Sequence, residues 1–116
     1  MIISIGIDIV EKYRIKKIFL KYGFKFVKKI LHNDEIKFFF IKKKKIEFLL
    51  KTFAVKEAYV KLLGTGIRNK IYFNKLCLIN NKLGKPNFIL SDFNILISLS
   101  HDKNLIIAVV FLFRKM

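Results

Sequence analysis

The sequence predicts a single α+β domain, an antiparallel sheet packed with helices. Three observations carry this. Met1–Val10 alternates with a period of two, as a half-buried strand does. From Glu11 to Leu63 apolar residues recur at helical spacings. After Ile67 the texture returns to strands, rich in β-branched and aromatic residues. The 116 residues are enough for one domain, residues 1–116, with its own core.

In the first strand Ile3, Ile5, Ile7 and Ile9 share one side, and Ser4, Gly6 and Asp8 the other. Gly6 leaves room beside Asp8 for a ligand or another backbone. A helix begins near Glu11 and presents Ile15, Ile18, Phe19 and Tyr22, with Arg14 on its other side; Gly23 ends it. Phe24–Leu31 is a second short amphipathic piece. Asn33 is the expected N-cap of a third helix, with Asp34 and Glu35 in its first turn and Ile36, Phe39 and Phe40 along it. Lys42–Lys45 reads as a solvated connection.

The longest helix resumes near Ile46 and runs into Phe53–Ile67, the stretch that organises the chain. Val55, Tyr59, Leu62 and Leu63 form an apolar face there. Ala54 and Ala58 are small enough for a neighbour to approach closely. Glu57 and Lys61 lie four apart on another face. Taken alone they make an ordinary surface ion pair of about 0.2–0.5 kcal/mol. Gly64 ends the helix, and Gly64-Thr65-Gly66 makes a tight turn.

Ile71–Ile79 reads as a strand. Asn80–Pro86 is dense in turn formers, and Asn87–Leu90 pairs back. Asn94–Ser100 alternates, with Ile95, Ile97 and Leu99 on one face. His101–Asn104 is a hairpin turn. Leu105–Phe113 is a continuous apolar strand, expected to be buried on both faces and so to hint at oligomer contacts. Met1–Val10 is expected to join this C-terminal meander.

Composition narrows the function classes. One cysteine, Cys77, excludes an internal disulfide and reads as a buried thiol in a reducing compartment. No apolar run approaches the roughly 20 residues of a membrane-spanning helix, and no signal peptide is visible, so the reading is soluble and cytoplasmic. The net charge of +16 points to a polyanionic partner. Nearly all of it is lysine, whereas sequence-specific nucleic-acid readers favour the arginine fork. A general drift toward Lys, Ile, Asn and Phe accounts for part of it.

Four features stand together: Gly6-Ile7-Asp8-Ile9-Val10-Glu11, Phe53–Ile67, Gly84-Lys85-Pro86 and Ser98-Leu99-Ser100-His101. In this order and at these separations the chain resembles, end to end, the holo-acyl-carrier-protein synthases, the small 4′-phosphopantetheinyl transferases. The resemblance implies transfer of 4′-phosphopantetheine from coenzyme A to a serine of apo-acyl carrier protein, releasing 3′,5′-ADP, in fatty acid biosynthesis. Physically this is phosphoryl transfer, which rests on alignment and charge neutralisation.

By the same resemblance Asp8 and Glu57 hold Mg²⁺, and hard oxygen donors suit that ion. Lys61 meets the pyrophosphate, and Gly64 and Gly66 let the backbone approach the nucleotide. Lys85, Pro86 and His101 shape the adenosine 3′-phosphate pocket, across a subunit boundary of a homotrimer. Arg14 contacts an acidic helix of the carrier protein. Glu57 and a metal-bound water are both candidates for the base that deprotonates the serine.

Three positions depart from the family pattern. Thr52 and Lys29 stand in place of arginines, and His32 in place of a threonine; Thr52 removes a guanidinium contact. The competing readings are a lysine-rich RNA-binding module without catalysis and a transferase fold kept for binding alone. Phe19, Phe39, Phe40, Phe48 and Phe53 at core spacings argue against the first, as does the lack of an RNA-recognition signature. The intact set of Asp8, Glu57 and Lys61 argues against the second.

Overall fold

The structure is a computed structural model that describes residues 2–64, 73–80, 86–88 and 94–113. The expectations for Thr65, Gly66, Lys85 and the ends of the predicted strands at 71–72 and 89–90 fall outside these residues.

Strand β1 (Ile2–Glu11) is followed by helices α1 (Lys12–Tyr22), α2 (Phe24–Ile30), α3 (Asn33–Ile41) and α4 (Lys45–Leu62). Then come a 3-10 turn (Phe73–Lys75) and strands β2 (Leu78–Asn80), β3 (Pro86–Phe88), β4 (Asn94–His101) and β5 (Leu105–Phe113). Among the described residues the main sheet is antiparallel with order β1-β5-β4, and β2 pairs with β3. Among the described residues the expected meander is two sheets, one of three strands and one of two. Among the described residues of the predicted strand from Ile71, Phe73–Lys75 turns as a 3-10 segment and Leu78–Asn80 enters a ladder.

Glycine ends two helices as expected. Gly23 closes α1 with φ of 59° and Gly64 follows α4 with φ of 66°, a region that carries a steric penalty for other residues. Helix α3 is capped one residue earlier than Asn33. The His32 imidazole accepts the Asp34 N–H at 3.1 Å, while the Glu35 carboxylate accepts the His32 N–H at 2.8 Å.

The core sits between α4 and the inner face of the main sheet. Leu49, Leu50, Phe53, Ala54, Val55, Ala58 and Leu62 of α4 meet Val10, Ile95, Ile97, Ile106, Ala108, Val110 and Leu112. Phe39 and Phe53 are buried as their spacing requires, but Phe40 is 58 % exposed. Ile15, Val27, Ile30 and Leu31 close the helical side. Among the described residues no helix is long and apolar enough to cross a membrane.

The structure decides which faces are covered within the single chain. In β1 it is Ser4, Gly6, Asp8 and Val10 that turn toward α4, while Ile3, Ile5, Ile7 and Ile9 stand 47–57 % exposed on the outer face. Strand β5 is covered on one face only: Ile106, Ala108, Val110 and Leu112 are buried, whereas Ile107 is exposed and Val109, Phe111 and Phe113 are half-covered. Register places Ile5 opposite Phe111, Ile7 opposite Val109 and Ile9 opposite Ile107. The outer face of the sheet is thus apolar along β1 and β5, while β4 adds Leu96 among the exposed polar Asn94, Ser98 and Ser100.

Candidate active site

The site is built where β1 crosses α4. Gly6 makes the crossing possible. A Cβ at this position would lie 1.9 Å from the Ala58 carbonyl oxygen and 2.8 Å from Leu62 Cβ and backbone N. The space beside Asp8 is filled by another backbone, that of α4. Ala58 allows this approach because its own side chain is small. Two residues before Gly6, the Ser4 hydroxyl donates to the Leu62 carbonyl at 2.9 Å and holds the strand in register along the helix.

This contact brings three predicted residues together. Asp8 lies two residues beyond Gly6, on the same face of β1. Glu57 and Lys61 come from the face of α4 that borders the crossing. The Lys61 ammonium donates to Asp8 Oδ1 at 2.8 Å, across 53 positions of chain. The pairing available from helical spacing alone, Glu57 with Lys61, is replaced by this one. Lys61 stays 55 % exposed, so its ammonium is accessible to an anion from solvent.

The electrostatics follow from the packing. Burial, and then the Asp8 carboxylate, push the Glu57 carboxyl up from its ordinary 4.5, against the pull of Lys61 and Arg14. The hydrogen bond to Asp8 raises Lys61, with burial opposing it and the Asp8 and Glu57 charges adding to it. The Asp8 and Glu57 carboxylates repel each other, and a divalent cation between them would relieve that repulsion. Both are hard oxygen donors, so the donor set fits Mg²⁺.

The remaining predicted residues are more dispersed. Arg14 is exposed on α1 and its charge is felt at Glu57. Gly64 ends α4 three residues beyond Lys61, with its N–H donating to the Lys61 carbonyl at 3.0 Å. Pro86 opens β3, opposite Asn80.

His101 is exposed at the hairpin between β4 and β5. There it lines a cleft of about 230 Å³ with Lys12, Glu47, Lys51, Asp102 and Lys103. The hairpin is tied to the start of α1 by the Lys12 N–H, which donates to the Asn104 carbonyl at 2.7 Å. Thr52 is buried, and its hydroxyl donates back to the Phe48 carbonyl at 2.8 Å. It is part of the core, so its effect on any substrate is indirect.

Sequence reasoning missed one residue pair beside the site. Lys56, adjacent to Glu57, is fully buried and paired with Glu35 of α3. Glu35 reads locally as a first-turn acid favoured by the helix dipole. Lys56 is one of several lysines in α4, with Lys45, Lys51 and Lys61, so its sequence carries no local signal of burial.

Known proteins share the sequence and the fold. Residues 4–110 match the 4′-phosphopantetheinyl transferase superfamily. The chain is 42 % identical over 118 residues to a holo-[acyl-carrier-protein] synthase of Geobacillus sp. (strain WCH70), covering 98 % of each chain. It is 55 % identical over 85 residues to the same enzyme of Buchnera aphidicola subsp. Acyrthosiphon pisum (strain Tuc7), covering 73 % of this chain and 68 % of that one. Among solved structures, the holo-(acyl-carrier-protein) synthase of Bacillus anthracis str. Ames in complex with CoA (3′,5′-ADP) superposes with a TM-score of 0.88. It shares 37 % identity over 99 % of both chains. The Helicobacter pylori enzyme in complex with coenzyme A gives a TM-score of 0.80 at 32 % identity, covering 94 % of this chain and 99 % of that one. With the family matched along nearly its whole length and the carboxylate–lysine site assembled at the β1–α4 crossing, the chain belongs to the 4′-phosphopantetheinyl transferase superfamily, among the holo-[acyl-carrier-protein] synthases.

Proposed function

We propose that this protein transfers 4′-phosphopantetheine from coenzyme A to a serine hydroxyl of apo-acyl carrier protein, in a Mg²⁺-dependent reaction of fatty acid biosynthesis in the cytoplasm. The observation that carries the reading is the meeting of Asp8, Glu57 and Lys61 at the Gly6 crossing. The coenzyme A complexes of its relatives support the choice of donor.

The bond that forms joins the serine oxygen to the phosphorus bearing pantetheine, and the bond that breaks joins that phosphorus to the bridging oxygen of the pyrophosphate. The 3′,5′-ADP leaves with the bonding electrons. Asp8 and Glu57 would hold Mg²⁺, which supplies charge neutralisation at the phosphate oxygens when bound. Lys61 exchanges its Asp8 partner for a phosphate oxygen and stabilises the charge on the leaving group. Its exposure makes that exchange inexpensive in desolvation.

Glu57 is one candidate to take the serine proton, since burial makes its carboxylate more basic than a solvated one. A water at the site is the other. Gly64 and Gly66 let the nucleotide approach the backbone. Lys85, Pro86 and His101 receive the adenosine 3′-phosphate, and Arg14 receives an acidic helix of the carrier protein. The chain's +16 charge speeds encounter with both anionic substrates.

A homotrimer is the assembly we propose. The exposed Ile3, Ile5, Ile7 and Ile9 beside Val109 and Phe111 give the main sheet an apolar outer face that a second copy would cover. Such an assembly also gives the His101 hairpin a route to another copy's Asp8 and Glu57.

The test is incubation with coenzyme A, Mg²⁺ and apo-acyl carrier protein, read as the carrier's intact mass. The expected result is a gain of one phosphopantetheine that EDTA prevents. Absence of the gain, with a known transferase succeeding on the same carrier, would refute the reading.

A further inference from the structure

The strongest unassigned chemistry in the described residues is the buried ion pair behind the site. The Lys56 ammonium is 0 % exposed and its partner Glu35 is 2 % exposed. Lys56 Nζ donates to the Ile30 carbonyl at 2.7 Å, to Glu35 Oε1 at 2.5 Å and to the Phe73 carbonyl at 2.9 Å. All three ammonium protons are used. Glu35 Oε1 also accepts the His32 N–H, and Oε2 accepts the Leu78 N–H at 2.8 Å. One ion pair therefore ties α4 to the end of α2, the start of α3, the 3-10 turn and β2. The rings of Phe53 and Phe73, 5.7 Å apart, add an edge-to-face contact on the same side.

Stability alone is a poor account of such a pair. Desolvating two charges costs several kcal/mol, and replacing a buried pair with apolar residues of similar volume is often neutral or stabilising. What the pair supplies and an apolar pair lacks is direction, because its hydrogen bonds reach backbone groups on four other elements.

That direction bears on the site. Glu57 is the next residue, about 100° around the same helix. Gly6 fixes α4 on one side, through Ala58 and Leu62, and Lys56 fixes it on another. A side-chain oxygen stands roughly 5–6 Å from the helix axis, so a rotation of about 10° moves it by roughly 1 Å. Catalytic constellations tolerate about 0.5 Å.

We propose that Lys56, neutralised by Glu35, is a positioning residue that sets the rotation of α4 and so aims Glu57 at the cation it shares with Asp8. The inference rests on the proposed function and on Glu57 as a metal ligand. Loss of partners that orient a ligand typically weakens metal affinity about 10–100-fold.

The test uses the full chain and two variants. In Glu35→Leu/Lys56→Met both charges are removed and volume is roughly kept. In Glu35→Gln the shape is kept, the negative charge is lost and one accepting oxygen becomes an N–H donor. Mn²⁺ binding with coenzyme A present is read from the free-ion electron paramagnetic resonance signal, beside thermal melting and the Mg²⁺ dependence of transfer. We expect the double variant to melt cooperatively within a few degrees of wild type, to bind Mn²⁺ about tenfold more weakly, and to regain most of its kcat at saturating Mg²⁺. Glu35→Gln should shift Mn²⁺ binding in the same direction.

Wild-type Mn²⁺ affinity in a folded double variant would overturn the proposal. If that variant does not fold, wild-type affinity in Glu35→Gln would overturn it instead. Wild type measured in parallel separates the two claims: no transfer by wild type refutes the function, whereas transfer with unshifted variants refutes only the role of Lys56.

Discussion

Gly6→Ala is the most exposed consequence of the site as described. The added Cβ would lie 1.9 Å from the Ala58 carbonyl oxygen, where ordinary contact begins near 3.4 Å. The strand and the helix must then separate by about 1.5 Å, the difference between those distances. The atoms in the way are helix backbone, so no rotamer change relieves the clash. Overpacking of this kind costs about 1–3 kcal/mol. For a domain of this size that is roughly 3–15 °C in Tm, at fixed protomer concentration. Asp8 moves with the strand, so the 2.8 Å bond from Lys61 is stretched toward 4 Å and Asp8 retreats from Glu57. A displacement near 1 Å costs on the order of a hundredfold in rate.

Melting curves and intact-mass transfer assays read both effects. Ser4→Ala is the control. It loses only the 2.9 Å bond to the Leu62 carbonyl, about 1 kcal/mol, and should keep transfer within about threefold. A Gly6→Ala protein with wild-type Tm and rate would refute the account of the crossing.

Three further outcomes are expected. Lys61→Met should lower kcat by about 10²–10³-fold with the fold intact by circular dichroism, since its ammonium is mostly solvated; a wild-type kcat would remove Lys61 from the leaving-group role. Asp102 accepts the Asn104 and Leu105 N–H groups at 2.8 Å each, which holds its carboxyl below the ordinary 3.8. A depressed native pKa gives stability that is present above the unfolded value and lost as pH falls through the native one. Asp102→Ala should therefore flatten the acid limb of the stability curve in urea titrations below pH 3.8, and an unchanged limb would contradict the cap. Ile7→Lys, placed on the outer sheet face opposite Val109, should dissociate the proposed trimer in light scattering after size exclusion while leaving the monomer folded. A trimer that survives this change is not built on that face.

The elements were legible where local chemistry decides them. Gly23 and Gly64 end helices because their positive φ suits glycine, and that preference is visible in the sequence. The alternation of β1 and β4 is visible for the same reason, since the period belongs to the strand itself. Asp8, Glu57 and Lys61 are proposed from the motifs around them, which the resemblance makes readable.

Other features were decided only when the chain closed on itself. An alternating strand announces two faces but not which one a helix covers. In β1 the polar side is covered, because only Gly6 on that side lets the α4 backbone approach. Helical spacing offered Lys61 to Glu57, yet the crossing gave it to Asp8, 53 residues away. Glu35 looked like a first-turn acid, and Lys56 like any other lysine of a basic chain. Their meeting, 21 positions apart and out of contact with water, depends on α3 and α4 being packed together. By itself the sequence determined the periods, the helix ends and the family. The tertiary structure decided which faces are covered and which charges meet, because burial and ion pairing are properties of contacts between distant segments.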